Sequence, residues 1–165
     1  MRITVDEDTE ADRLTICIED NGKGMDKDFL EKVMDPFVTT RTSRKVGLGI
    51  PLMQAACNRC EGNLAMESER NVGTRLTATF KHSHIDRAPM GDMAETMLSL
   101  ILAGSDDTKT IDFVYRHIFN NKEFCLDTRE IRIALGCDVN LREPDVMMWI
   151  KEYINEGLEN LRGGV

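Results

Sequence analysis

Four short runs of this chain alternate apolar with polar residues, and that two-residue period constrains the fold more than any other feature. Ile3 and Val5 alternate with polar neighbours, and Leu14, Ile16 and Ile18 do so again after the acidic stretch from Asp6 to Asp12. NLAMES at 63–68 and TRLTATF at 74–80 repeat the pattern, with Asn71, Val72 and Gly73 as the turn between them. A strand turns successive side chains to opposite faces, so each run predicts a half-buried strand and each pair a hairpin. Between the pairs the period becomes helical. Asp26 is placed to cap a helix running to about Met34, with Phe29, Leu30 and Val33 as its apolar side, Met25 and Leu30 at staple spacing, and Pro36 as its end. A second helix is predicted from Leu48 to Cys60, with Pro51 in its first turn and Gly62 as its stop. Together these predict an α+β fold, a two-layer sandwich of a mixed sheet with helices on one face.

The alternation ends near residue 86, where SHIDRAPMG at 83–91 is polar and carries proline and glycine. Residues 1–86 therefore read as one domain and 87–165 as a small α+β region. In the second, a helix is expected over 93–102 and a hairpin from FVYRHIF at 113–119 with EFCL at 123–126, turning about Asn120 and Asn121. Asp127 with Glu130 resembles a capping box for a short helix ended by Gly136. Pro144 opens a last helix whose apolar stripe runs from Val146 to Leu161 and includes Trp149, expected to pack that helix.

Composition narrows the partners. With 41% hydrophobic and 30% charged residues, the chain is globular in type, and no window approaches the twenty apolar residues of a membrane span. MRITVDED at the start contains no apolar signal segment, which predicts a cytoplasmic location. A net charge of -8 repels phosphate backbones and anionic lipid, so neither a nucleic-acid partner nor membrane insertion is expected. Any phosphate must meet a local site. Five cysteines, an odd number, suit reduced thiols.

DNGKGM at 20–25 follows directly on a predicted strand. A P-loop would end in Gly-Lys-Ser/Thr and a dinucleotide fingerprint would carry a third glycine; neither is present. As a calcium loop it fails too, because Gly22 and Gly24 would occupy ligand positions. What remains is a strand end that offers a carboxylate where glycines admit a flat ligand, since a carboxylate accepts from an exocyclic amine such as adenine's. The alternative is a solvated Asn-Gly turn capping the next helix. GLGI at 47–50 opens a predicted helix behind Arg41, Arg44 and Lys45. Free amides at a helix N-terminus beside cations make a local anion site, or else the glycines relieve crowding and the cations balance nearby acids. Gly73 and Thr74 open the last strand, where a hydroxyl could meet a base or a water.

The series of strand, DNGKG, helix, DPFVTT at 35–40, basic loop, GLGI, helix, strand, Gly73–Thr74 and strand resembles the ATP-binding domain of the GHKL superfamily, the Bergerat fold, in its histidine-kinase branch. The likeness covers about residues 1 to 82. Asp20, Gly22 and Gly24 match the first glycine box, Phe37 the phenylalanine box, Gly47 and Gly49 the second glycine box, and Gly73 with Thr74 the third. The resemblance implies that Asp20 bonds the adenine amine, that Gly24, Met25 and Thr74 line the base, and that residues 39 to 49 form a lid over the phosphates, bringing in Thr39, Thr40, Arg41, Arg44, Lys45 and Leu48. It implies ATP with Mg2+ as cofactors and transfer of the γ-phosphate to a protein phosphoacceptor or regulatory partner.

The sequence departs from the family in two ways. The asparagine-box helix that carries the family's Mg2+ ligand has no counterpart before the first strand, and Asn58 and Asn63 stand in the wrong order to replace it. No metal ligand is assigned, and this chain alone is expected to be a weak or inactive phosphotransferase. The sheet face which that helix would cover is expected to drive self-association into a homodimer. Nor do His82, His84 or His117 stand in a phosphoacceptor context, so a partner would supply the acceptor. An ATP-hydrolysing conformational switch and a non-catalytic nucleotide-sensing module are the alternatives. Cys57 and Cys60, a Cys-x-x-Cys pair, read as packed thiols or as half of a metal site.

Overall fold

A computed structural model describes residues 1–34, 49–104, 110–136 and 140–163. The chain divides into two compact units, Val5–Arg87, and Met1–Thr4 with Ala88–Val165. Strand β1 (Arg2–Asp8) is split between them.

In the Val5–Arg87 unit, β1 is followed by β2 (Arg13–Asp20), α1 (Lys27–Met34), α2 (described from Gly49 to Arg59), β3 (Asn63–Glu69) and β4 (Gly73–Lys81). The strand order here is β3-β4-β2-β1, with β4 antiparallel to both its neighbours. The register pairs Leu14 with Phe80, Ile16 with Ala78 and Ile18 with Leu76, while Ala78 also faces Leu64 and Leu76 faces Met66. One face of β2, β3 and β4 thus collects Leu14, Ile16, Ile18, Leu64, Met66, Leu76, Ala78 and Phe80. Helix α2 packs on β3 and β4, and α1 on β3. Val5, Leu14, Leu64, Ala78, Cys57 and Cys60 are buried in the resulting core. Helix α1 starts where the sequence places its cap: Asp26 accepts from Phe29 N through Oδ1 at 2.9 Å.

In the other unit the start of β1 is followed by β5 (Val114–Phe119) and β6 (Lys122–Asp127), with α3 (Met93–Ala103), α4 (Thr128–Leu135) and α5 (Pro144–Leu161). Asn120 and Asn121 have φ of 46° and 67°, the left-handed pair that a two-residue hairpin turn requires and that asparagine tolerates. Helices α3 and α5 pack on each other, and α5 also lies on β5 and β6. Tyr115, Met97, Ile101, Leu126, Ile150 and Ile154 are fully buried here. His117 is buried among them, and its Nδ1 lies 2.7 Å from the Tyr115 hydroxyl.

Two expectations for this region are corrected. Trp149 does not fill the core: it is 48% exposed and stacks on Tyr153 of its own helix, since the buried stripe of α5 runs through Ile150, Ile154 and Leu161. The start of α4 is held by Asp127 accepting from the amide and guanidinium of Arg129 rather than by a reciprocal box with Glu130, which is exposed. Among the described residues no helix is long and apolar enough to cross a membrane.

Candidate functional site

Asp20 is the last residue of β2, and the register sets it opposite Thr74, which in turn faces Ser68 on β3. Residues directly opposite in a sheet share a face. The three side chains therefore form a polar row across three strands at one end of the sheet, beyond the apolar rows of Ile18, Leu76 and Met66.

Two loops are pressed together at that end. Lys23 O accepts from Asn71 N at 2.7 Å, and Ser68 Oγ accepts from Met25 N at 2.8 Å. The same Ser68 hydroxyl donates to Gly73 O at 2.9 Å and lies 3.0 Å from Thr74 Oγ1. The glycines make this approach feasible. At Gly24 the backbone has φ of +58°, and a Cβ there would lie 1.9 Å from Glu69 O; at Gly73, with φ of +138°, it would lie 2.0 Å from Asp20 O. Any side chain at either position would force the loops apart.

Asp20 itself is exposed, and its Oδ1 accepts from Gly22 N at 2.8 Å. Its second oxygen accepts nothing from the described residues and is free for a donor on a ligand. A cavity of about 270 Å3 opens beside it, lined by Asp20, Ser68, Gly73 and Thr74 together with Glu67 and Glu69. Arg75, also at its edge, is taken by Glu19 through Nε at 2.9 Å, and that carboxylate raises the guanidinium's pKa. The charged residues of the wall are thus mostly acidic, which favours the donor edge of a planar ligand and repels an anion. A phosphate-bearing ligand must place its phosphates away from this wall.

Of the residues singled out in the sequence, Asp20, Gly22, Gly24, Met25 and Thr74 are brought together here. Gly49 is the first described residue of α2, exposed, and apart from its chain neighbours and its own helix backbone no atom of the described residues comes within 4 Å of where its Cβ would stand. Phe37, Thr39, Thr40, Arg41, Arg44, Lys45, Gly47 and Leu48 lie outside the described residues. Ser68, the hub of the hydrogen bonds, was missed. Its signal lay in the hairpin: the turn at Asn71–Gly73 sets Ser68 opposite Thr74, so the polar end of one run had to meet the other.

The remaining candidates have other partners. Cys57 and Cys60 are both buried, and burial pushes the Cys57 thiol pKa upward, away from the thiolate that binds metals. His82 Nε2 lies 3.3 Å from buried Glu7, and His84 Nδ1 accepts from Asp86 N at 3.1 Å. No cluster of three or more metal-ligating side chains occurs among the described residues, and the first turn of α2 carries no acid.

Residues 1–84 match the family described as histidine kinase-, DNA gyrase B- and HSP90-like ATPase. Among curated proteins, the chain is 38% identical over 68 residues to a probable C4-dicarboxylate sensor kinase of Halalkalibacterium halodurans, covering 41% of this chain and 13% of that protein. It is 40% identical over 62 residues to the signal transduction histidine-protein kinase AtoS of Escherichia coli, covering 38% and 10%. With the sensor kinase CckA of Brucella abortus it shares 37% identity over 86 residues, covering 49% and 9%. The match thus spans only about a tenth of each relative's length. The chain belongs to the histidine kinase-, DNA gyrase B- and HSP90-like ATPase family, and its first 84 residues are an ATP-binding domain of the histidine-kinase-like type.

Proposed function

We propose that the first domain, residues 1–86, holds ATP with its adenine amine on Asp20 and its base beside Gly24, Met25 and Thr74. The phosphates point toward the N-terminus of α2 at Gly49 and the basic segment with Arg41, Arg44 and Lys45. When complete, the domain passes the γ-phosphate to a protein partner that carries the acceptor. The observation that carries this reading is the row of Asp20, Thr74 and Ser68, with one Asp20 oxygen held by Gly22 and the other open beside the cavity. The acidic wall separates the two ends of the ligand. It accepts an amine and turns a triphosphate toward the amides of α2, where partial positive charge collects.

Phosphoryl transfer draws on Mg2+ for charge neutralisation, and Mg2+ is commonly held by substrate phosphates with only one or two carboxylates. This chain's own described part is to bind and orient. Asp20 and Thr74 fix the base, and the Ser68 network keeps the two loops in register. The self-association expected from the sheet remains part of the proposal: Ile18 and Leu76 share one face and stay half-buried.

Incubating the chain with labelled ATP and Mg2+, alone and with candidate acceptor proteins, tests the reading. Saturable ATP binding is the expected result, with at most weak labelling of protein and that only when an acceptor is added. Failure to bind ATP would refute it, and release of free phosphate without labelled protein would replace the kinase by a hydrolytic switch. A mass that stays monomeric across a hundredfold range of concentration would remove self-association.

A further inference from the structure

Ser68 has several polar neighbours and a single proton. Its Oγ accepts from Met25 N at 2.8 Å, lies 2.9 Å from Gly73 O and lies 3.0 Å from Thr74 Oγ1. A carbonyl oxygen can only accept, so the Ser68 proton goes to Gly73 O. The contact with Thr74 is then a hydrogen bond only if Thr74 donates, into the second lone pair of Ser68. Ser68 is left saturated, with its proton given and both lone pairs filled. Thr74 has committed its own proton and keeps lone pairs alone for the cavity that it lines with Asp20. Thr74 and Asp20 stand directly opposite in the register and share a face, and the open oxygen of the Asp20 carboxylate is likewise an acceptor. Arg75 follows Thr74 along β4 and so takes the other face, where Glu19 accepts from its Nε and Nη2. Among the described residues the row of Asp20 and Thr74 therefore offers side-chain acceptors to the cavity and no side-chain donor.

A purine that meets this row with an amine finds acceptors. A purine that meets it with a carbonyl sets acceptor against acceptor and leaves polar groups unpaired. We propose that Ser68 is a specificity-determining residue of the nucleotide site: by accepting the Thr74 proton, it holds that hydroxyl as an acceptor and selects an amino-purine over an oxo-purine. It does so with no hydrogen bond of its own to the base. The proposal rests on the placement of ATP given above and adds to it a positioning residue that acts through Thr74, where Asp20 acts directly.

Calorimetric titration of the full chain with ATP and with inosine triphosphate reads the ratio of the two affinities. Inosine carries a carbonyl and a ring N–H in place of adenine's amine and bare ring nitrogen. Wild type is expected to favour ATP. In Ser68→Ala the Thr74 proton is released and can turn to a carbonyl, so the ratio should narrow about two- to tenfold, as expected for one neutral hydrogen bond. A purely structural role, through Met25 and Gly73, would weaken both nucleotides alike and leave the ratio where it was. Ser68→Thr, which keeps the hydroxyl, should retain the wild-type ratio. Thr74→Val should weaken ATP and leave inosine triphosphate no weaker, and Ser68→Ala added to Thr74→Val should leave the ratio of the valine variant unchanged. Ser68→Thr and Thr74→Val carry the test if circular dichroism shows Ser68→Ala to be unfolded. Equal losses for the two nucleotides in Ser68→Ala or in Thr74→Val, a narrowing that persists in the valine background, or a wild type without preference for ATP would overturn the role of Ser68 and leave the nucleotide site standing. A wild type that binds neither nucleotide would overturn both.

Discussion

Replacing Asp20 by asparagine tests the nucleotide site at its most informative atom. Asp20 Oδ1 accepts from Gly22 N at 2.8 Å, and an asparagine would keep that bond with its own oxygen. Its amide nitrogen must then occupy the place of Oδ2. There it would present a donor to the adenine amine, itself a donor. A hydrogen bond to a charged acceptor contributes about 1.5 to 3 kcal/mol, so its loss alone predicts a fall in ATP affinity of roughly tenfold to over a hundredfold. The opposition of two donors adds to that loss. The same nitrogen would suit the carbonyl of guanine, so the preference for ATP over GTP should narrow by more than the loss of ATP affinity alone accounts for. Calorimetric titration of the wild-type chain and the Asp20→Asn variant with both nucleotides reads the effect. Asp20 is exposed and its loop bond survives, so the melting temperature should hardly move. An ATP affinity within twofold of wild type, in a variant with unchanged circular dichroism, would refute the placement of the base.

Gly73→Ala would set a Cβ 2.0 Å from Asp20 O at φ of +138°, which should cost on the order of 2 to 5 kcal/mol and lower the melting temperature by roughly 5 to 15 °C; a change under 2 °C would disprove the close loop packing. Gly49→Val meets no atom of another described element within 4 Å at its Cβ, so it should fold normally yet weaken ATP more than adenosine, and equal losses would move the phosphates elsewhere. The Arg129 side chain holds the Asp127 carboxyl below its ordinary value of 3.8, a shift whose stabilisation is present above that value and lost as pH falls through the lower folded one. The melting-temperature gap between wild type and Asp127→Asn should accordingly be open at pH 7 and close below about pH 4, and a gap independent of pH would contradict the pairing. Cys57 and Cys60, both buried, should resist a thiol reagent until the Val5–Arg87 unit unfolds; rapid labelling of the native protein would argue against their packing.

Much of the fold was legible because its signals are local. Strands β1 to β4 follow from alternation, the start of α1 from Asp26, and the β5–β6 turn from two adjacent asparagines, each a matter of a few residues in sequence. The order of glycine-bearing loops likewise identified the family. Less legible were contacts whose partners lie far apart along the chain. Trp149 shows this: the helical stripe includes it, yet only the packing of α5 on α3, β5 and β6 decides that Ile150 and Ile154 face inward and Trp149 outward.

The sequence by itself determined the elements, the acid at the end of β2, and the glycines that free the backbone beside it. Only the tertiary structure decided that Gly24 is pressed on Glu69 and Gly73 on Asp20, and that Ser68 ties the two loops together. Periodicity records which face each residue takes, but register and loop contact join residues some forty or fifty positions apart. Their energies depend on distances of two or three ångström, which no local pattern encodes.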